Sequence, residues 1–411
     1  MKKLAKALSK KGTLIFFLVV LFVFLPTAFN KEAQTDVRAI MTAIGIDKSN
    51  DEYEVSCLMV IPTIGTDPNS GIQLVSAKGE TVSQAVNQLS RDLGKEIGFA
   101  HCDIIIMNDE AIEENITKTL DYFIRGYNIT KKAYVVNCPE GAKEMLKTTL
   151  KEKSLPTLLL ANLVNREDNA VMGVGSDVDL IYRNYFEKSG VNYLNVFELE
   201  KDDSESGGDS QNSGENGGGS SSMGGQQEQK KLTSNNKLVF LKNGVKSCEI
   251  EQDEGTLYSI YKGQIDRGYL YLEDVEEKEK SHAKVGVDLV KIKRKNKYVF
   301  EDGKPTIKCK ITLVVALHEI SDEDLDETQV DNSRTHIGEG VKEAIREKLT
   351  ESANIILEKS VEHNTDIYEF YNKFYKHNNK KWKEYFEGLE NKEDYLNDCQ
   401  IKLEITIKDK F

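Results

Sequence analysis

The sequence predicts an α+β protein, with mixed β-sheets carrying packed helices, in three modules behind an N-terminal membrane anchor. Three observations carry that reading. Short apolar runs alternate with amphipathic helical patterns between Val37 and Asn137. After Tyr269 the chain is dominated by alternating strand patterns and one long helical stripe. A basic leader with an uncharged apolar run precedes both parts, and a Gly/Ser-rich stretch lies between them.

Lys2, Lys3, Lys6, Lys10 and Lys11 stand before the run LIFFLVVLFVFLPTAF, Leu14 to Phe29. A basic leader followed by such a run reads as a secretory signal or a signal anchor. As a helix the run spans roughly 24 Å, slightly short of the ~30 Å hydrocarbon core. Basic flanks stay cytoplasmic, which puts the body of the protein on the extracytoplasmic side. Pro26 sits three positions before a cut after Ala28, where it suits signal peptidase poorly, so an uncleaved anchor is favoured over a cleaved peptide.

The expected units are 1–30, signal anchor or signal peptide; 34–200, an N-terminal α/β domain; 201–232, a Gly/Ser-rich disordered insert or linker; 233–268, a small β-rich middle module; and 269–411, a C-terminal α+β domain. The chain has 411 residues, enough for two or three cores. Its formal net charge of −13 argues against nucleic-acid binding and gives little reason for the body to adhere to anionic lipid. Cys57, Cys102, Cys138, Cys248, Cys309 and Cys399 are scattered singly with no C-x-x-C pair, so they read as small buried hydrophobes, with disulfides left open in an exported chain.

Val37 to Ile46 and Tyr53 to Ile61 read as strands joined by the polar turn Asp47 to Glu52. Thr81 and Gln84 form a capping box before the helical series Val82, Val86, Leu89 and Leu93, which Gly94 stops. Ile104 to Met107 is a short buried strand. Asp109 opens a second amphipathic helix through Ile112, Ile116, Leu120 and Phe123, and Tyr134 to Val136 is the next strand. Helical segments follow at Glu140 to Leu150 and Leu155 to Asn165, and Asp179 to Glu200 leads out of the domain.

The stretch from Lys201 to Gln229 is almost devoid of apolar residues and is expected to be disordered, more as a linker than as a loop inside one domain. Leu238 to Leu241, the Asn243-Gly244 turn and Val245 to Ile250 read as a hairpin. In the last module Ile307, Cys309, Ile311 and Leu313 alternate with Lys308, Lys310 and Thr312, and Cys399 to Ile407 repeats the pattern. Between them Ile337, Val341, Ile345, Leu349, Ala353, Leu357 and Val361 stripe a long helix. Asp366 can cap a further helix carrying Ile367, Phe370 and Phe374, extending to Trp382 and Phe386.

Marks of catalysis are missing. His318-Glu319 has no second His at helical spacing, and neither a G-x-S-x-G elbow nor a Walker loop occurs. Asp322 to Glu327 lacks the ligand pattern of a calcium loop and reads as a solvated acidic turn. Gly173-Val174-Gly175 is too short for a dinucleotide loop.

The succession Gly79-Glu80-Thr81, Phe99-Ala100-His101, Ile104-Ile105-Ile106 and Asp121-Tyr122-Phe123-Ile124-Arg125 resembles the C subunit of the spore germinant receptor, the Ger(x)C family. Glu254, Gly255, Leu257 and Lys262 resemble that family's charged E-x-x-G-L segment, and the strand–helix–helix–strand order of the last module is similar to its C-terminal domain. The resemblance implies a non-enzymatic, membrane-bound component without cofactor or metal, on the outer face of the inner spore membrane. Its implied partners are the A-like and B-like receptor subunits. Members are usually lipoproteins, and Phe29 occupies the position where the lipidated Cys would stand. His101 is read as a structural or docking residue, and Ile337, Val341, Ile345 and Leu349 as core or docking positions. A membrane-tethered solute-binding or cell-envelope protein outside any receptor stays open as the alternative.

Overall fold

The computed structural model describes residues 38–61, 71–126, 129–151, 175–201, 230–233, 236–277, 280–321 and 337–410. The leader, the helix expected at Leu155 to Asn165, nearly all of the Gly/Ser-rich insert, Gly173-Val174 and the acidic Asp322 to Glu327 lie outside these residues. Among the described residues no helix is long and apolar enough to cross a membrane.

A ten-stranded mixed sheet forms the N-terminal half. Strands β1 (Arg38–Ser49), β2 (Glu52–Val60) and β3 (Ile72–Gly79) are an antiparallel meander at one edge. The chain then crosses through α1 (Val82–Leu93) and the short β4 (Glu96–Gly98) to β5 (Ile104–Met107), parallel to β1. Every residue of β5 is fully buried, as expected of a strand covered on both faces. Helices α2 (Asp109–Glu114) and α3 (Ile116–Gly126) lead to β6 (Tyr134–Asn137), and α4 (Ala142–Lys151) follows. The two-residue β7 (Ser176–Asp177), α5 (Val178–Tyr185) and β8 (Val191–Val196) come next. The order β12-β11-β8-β6-β5-β1-β2-β3 is completed by β11 (Leu238–Lys242) and β12 (Val245–Ile250), a hairpin antiparallel to β8. Its turn residues Asn243 and Gly244 both have positive φ, the conformation that the Asn-Gly pair predicts.

Local chemistry explains the helix ends. Thr81 Oγ1 accepts from Gln84 N at 3.1 Å. The Gln84 side chain accepts from Glu80 N at 2.9 Å rather than from Thr81 N, so the expected capping box is displaced by one residue. Gly94 ends α1 in the left-handed conformation. The helix expected to run unbroken from Asp109 to Phe123 divides at Asn115. There Ile116 N donates to Gly244 O at 2.7 Å and Thr117 N to Asn115 Oδ1 at 3.0 Å, so tertiary and side-chain acceptors replace the helical ones.

The Gly/Ser-rich stretch leaves from β9 (Glu198–Lys201) and returns at β10 (Lys230–Thr233). These strands pair antiparallel, with Lys201 opposite Lys230. Its ends are therefore adjacent, and it closes a loop on a two-stranded stem rather than spanning a gap between separated units.

The segment after the hairpin, expected to be β-rich as far as Gly268, is instead helix α6 (Gln252–Lys262). A capping box between Glu251 and Glu254 starts it, and Gly263 at φ 71° ends it. The C-terminal half is a four-stranded sheet. Strands β13 (Gly268–Glu277), β14 (Lys280–Glu301) and β15 (Lys304–Ser321) are an antiparallel meander, and β16 (Gln400–Asp409) lies parallel to β15 at the edge. Asp302 and Gly303 make the β14–β15 turn with positive φ. On the inner face of this sheet lie the long α7 (Glu339–Glu362), α8 (Phe370–His377), α9 (Asn379–Gly388) and a 3₁₀ turn, Lys392–Asp398. The aromatic series expected on one helix is thus shared by α8 and α9, with Trp382 of α9 at 1 % exposure in the core.

Candidate functional site

The two sheets do not have separate cores. Tyr193 of β8 and Phe240 of β11 belong to the same hydrophobic cluster as Ile311 of β15, Ile345 of α7 and Phe370 of α8. Helix α6 lies at this junction, and the residues that carried the second family resemblance each have a task there. Glu254 accepts from Glu251 N at 3.0 Å. Gly255 lets the helix approach Asn236, whose carbonyl oxygen would stand 1.8 Å from a Cβ at that position. Leu257 is in the shared core. Lys262 reaches across to Glu369, with Nζ 2.7 Å from Oε1.

Glu369 is the electrostatic centre of the junction. Its side chain is 12 % exposed and its second oxygen meets Lys373 Nζ at 2.9 Å. Burial alone would raise its carboxyl pKa, but the two ammoniums outweigh that and hold it below the ordinary glutamate range. The same residue has φ 59°, a left-handed conformation that a non-glycine residue adopts only when its surroundings enforce it. The enforcement is visible: Tyr261 OH donates to Tyr368 O at 2.9 Å, and Tyr368 OH donates to Ala353 O at 3.1 Å. Asp366 accepts from Phe370 N at 2.7 Å, from Tyr371 N at 2.8 Å and from Tyr395 OH at 2.9 Å. It therefore caps α8, as its sequence position suggests, although α8 begins only at Phe370. Full burial pushes its pKa up to about 6, against the pull of these three donors.

Polar contacts from the β11–β12 hairpin complete the clasp. Ser247 Oγ lies 2.6 Å from Thr365 Oγ1, Lys359 Nζ donates to Glu249 O at 2.6 Å, and Lys242 Nζ donates to Asn364 O. Beside the clasp runs a cleft of ≈ 580 Å³ between α5 and α8, whose walls include Arg183, Glu187, Lys262, Glu369 and Asn372. Asn372 bridges it, donating to Ser189 Oγ at 2.7 Å and to Glu187. Tyr375, 47 % exposed, stands on the wall of this cleft, and Phe186, next to Glu187, is 79 % exposed. On the cleft wall Lys262 and Lys373 each pair with Glu369, and Arg183 meets Asp179.

The residues singled out from sequence fall elsewhere. His101 is exposed in the turn between the buried Phe99 and Cys102. Ile337, Val341, Ile345 and Leu349 are at most 2 % exposed. As docking residues they are corrected to core: α7 turns this stripe onto the C-terminal sheet and α6, because only there is its apolar area removed from water. His318 pairs with Asp288 on the sheet surface at 3.2 Å. All six cysteines are buried free thiols. Among the described residues no group of His, Cys, Asp and Glu is placed to hold a metal. Phe186 was not foreseen, since an aromatic residue ending a helix reads as core in sequence.

Two family descriptions match the chain. "Spore germination protein N-terminal domain" covers residues 32–199, and "Spore germination B3/GerAC like, C-terminal" covers residues 236–408. Spore germination protein KC of Bacillus subtilis (strain 168) is 26 % identical over 168 residues, covering 38 % of this chain and 40 % of that protein. The aligned stretch is thus well under half of the relative's length. The crystal structure of the GerBC protein overlaps 89 % of this chain and 96 % of its own, with a TM-score of 0.49 and 14 % identity. With both halves matched in order and only the Gly/Ser-rich loop and its stem between them, the chain belongs to the Ger(x)C family of spore germination proteins.

Proposed function

We propose that this protein is the C subunit of a membrane-bound nutrient germinant receptor and works without catalysis, by docking to A-like and B-like subunits. Its N-terminal segment anchors it, and its body lies on the extracytoplasmic side, at the outer face of the inner spore membrane. The observation that carries the reading is the match of both germination-protein domains, in order, along residues 32–199 and 236–408. The junction supports it physically. The shared core and the clasp make the two halves one body, and Lys262, Glu369 and Lys373 on the cleft wall are held by one another. The exposed rings of Phe186 and Tyr375 are the proposed docking patch, with the exposed His101 turn as a second contact.

Spores of a strain carrying no other member of this family provide the test. Deleting this chain should abolish the response to at least one nutrient class, and the full chain should restore it. The variant Phe186→Glu, exposed and therefore fold-neutral, should restore it poorly. An unchanged response to every nutrient in the deletion strain would remove the receptor reading and leave a membrane-tethered solute-binding or cell-envelope protein.

A further inference from the structure

The net charge of −13 conceals a strongly basic surface. Along β14 the outward positions are Lys291, Lys293, Lys295 and Lys297, all exposed, while Ile292 and its alternating neighbours turn to the helices. The pairing register sets Lys308 and Lys310 of β15 beside them, and then Lys402 of β16 beside Lys308. Lys408, opposite Val314, extends the row at the edge. Eight lysines thus share one face, where Glu301 and Glu404 stand among them and Asp288, further along β14, pairs with His318. Glu301 pairs with Lys308 and, at 2.9 Å, with Lys402; Glu404 stands 3.8 Å from Lys310. The four lysines of β14 have no ion pair among the described residues.

This face works against the stability of its own sheet. Lys295 stands directly opposite Lys310, Lys297 opposite Lys308, and Lys308 opposite Lys402. Like charges at directly paired positions destabilise a sheet, so solubility alone would favour mixed signs here. The array runs roughly 20 Å along the strands and about 10 Å across them. The aromatic side chains of this face, Tyr269 and Tyr271 of β13, stand opposite Asp288 and Gly286, beyond the lysine rows, so no stacking platform lies among the charges. The neighbouring Arg294 is turned away, donating to Lys262 O, so no guanidinium fork is offered to a single phosphate. What remains is a broad field of flexible point charges, complementary to a surface of diffuse negative charge.

From this charge pattern we propose that the outer face of the C-terminal sheet lies on the headgroups of an anionic phospholipid bilayer, orienting the body against the membrane that its N-terminal segment enters. The net charge alone does not decide this, because adhesion depends on the local field rather than the sum. The inference is independent of the receptor reading and holds for any tethered body with this face.

The test uses the full chain reconstituted in vesicles of phosphatidylcholine alone, or with about one third phosphatidylglycerol. A membrane-impermeant amine acylating reagent is applied and the rate is read at each lysine by mass spectrometry. The eight lysines should react roughly three-fold or more slowly in the anionic vesicles, and salt at about 0.5 M should restore the rate. Exposed lysines elsewhere, such as Lys78 and Lys132, should react equally in both. The variant with Lys291, Lys293, Lys295 and Lys297 all changed to Glu should lose the protection at Lys310 and Lys408. Equal rates for the array in both vesicles would overturn the proposal. Protection found only in native spore membranes would also overturn it, and would assign the face to an acidic protein.

Discussion

Replacing Gly255 by Ala tests whether α6 holds the two halves together. The Cβ would lie 1.8 Å from Asn236 O, and real Cβ contacts essentially never fall below 3.0 Å. The obstacle is backbone, so either α6 or the strand entry at Asn236 must withdraw by about 1.2 Å. Asn236 cannot yield freely. It is 8 % exposed, has φ 57°, and donates to Thr256 Oγ1 at 3.2 Å. Overpacking of this kind costs about 1–3 kcal/mol, and more where backbone must shift. Against it, alanine in a helix gains about 1 kcal/mol over glycine. The net expectation is a loss of about 1–2 kcal/mol, seen as a fall of a few degrees in Tm for a body of this size. Thermal unfolding of the detergent-solubilised full chain is the assay. Gly388→Ala serves as control, since nothing lies within 4 Å of its Cβ position. A Gly255→Ala protein as stable as the parent, or about 1 kcal/mol more stable, would refute the close approach of α6 to Asn236.

Glu369→Gln leaves Lys262 and Lys373 facing a neutral amide and should cost about 2–3 kcal/mol, discounted for the partial exposure of Lys373; an unchanged Tm would show the trio to be energetically idle. Because Glu369 titrates below 4.5, its contribution is present above that pH and is lost as the pH falls further. Asp366 has the opposite sign. Its folded carboxyl titrates near 6 against 3.8 for the free side chain, so folded protein holds a proton there that unfolded chain has released. Stability should therefore decline as pH rises from about 4 to about 6, at up to about 1.4 kcal/mol per pH unit, and Asp366→Asn should flatten that decline. A slope unchanged in the variant would place the titration elsewhere. The six buried thiols should resist a water-soluble disulfide reagent until the body unfolds; rapid reaction in native protein would contradict their burial.

Much of this architecture is written in local patterns. The buried run Ile104 to Met107, the Asn243-Gly244 turn, the Gly94 stop and the alternation from Ile307 to Leu313 each obey short-range rules and appear where those rules put them. What sequence leaves open depends on partners distant along the chain. Helix α6 reads as strand because Leu257, Tyr258, Ile260 and Tyr261 are apolar nearly all round; it is buried nearly all round at the junction. The break at Asn115 is made by Gly244, far away in sequence. The stripe Ile337, Val341, Ile345 and Leu349 looks the same whether it meets its own sheet or another protein. The basic face was legible in the succession Lys291, Lys293, Lys295 and Lys297, where every second residue is lysine, but only the β15 and β16 registers reveal its breadth. The exposed Phe186 has no such signal.

As a receptor subunit, this body would reside in a membrane complex. A C-terminally tagged full chain, solubilised from spore membranes in mild detergent and purified, tests it most directly. A-like and B-like subunits should be recovered with the tagged chain, and Phe186→Glu should reduce their recovery while the variant itself is purified in normal amount. Recovery of the tagged chain alone, with both subunits demonstrably present in the extract, would contradict it.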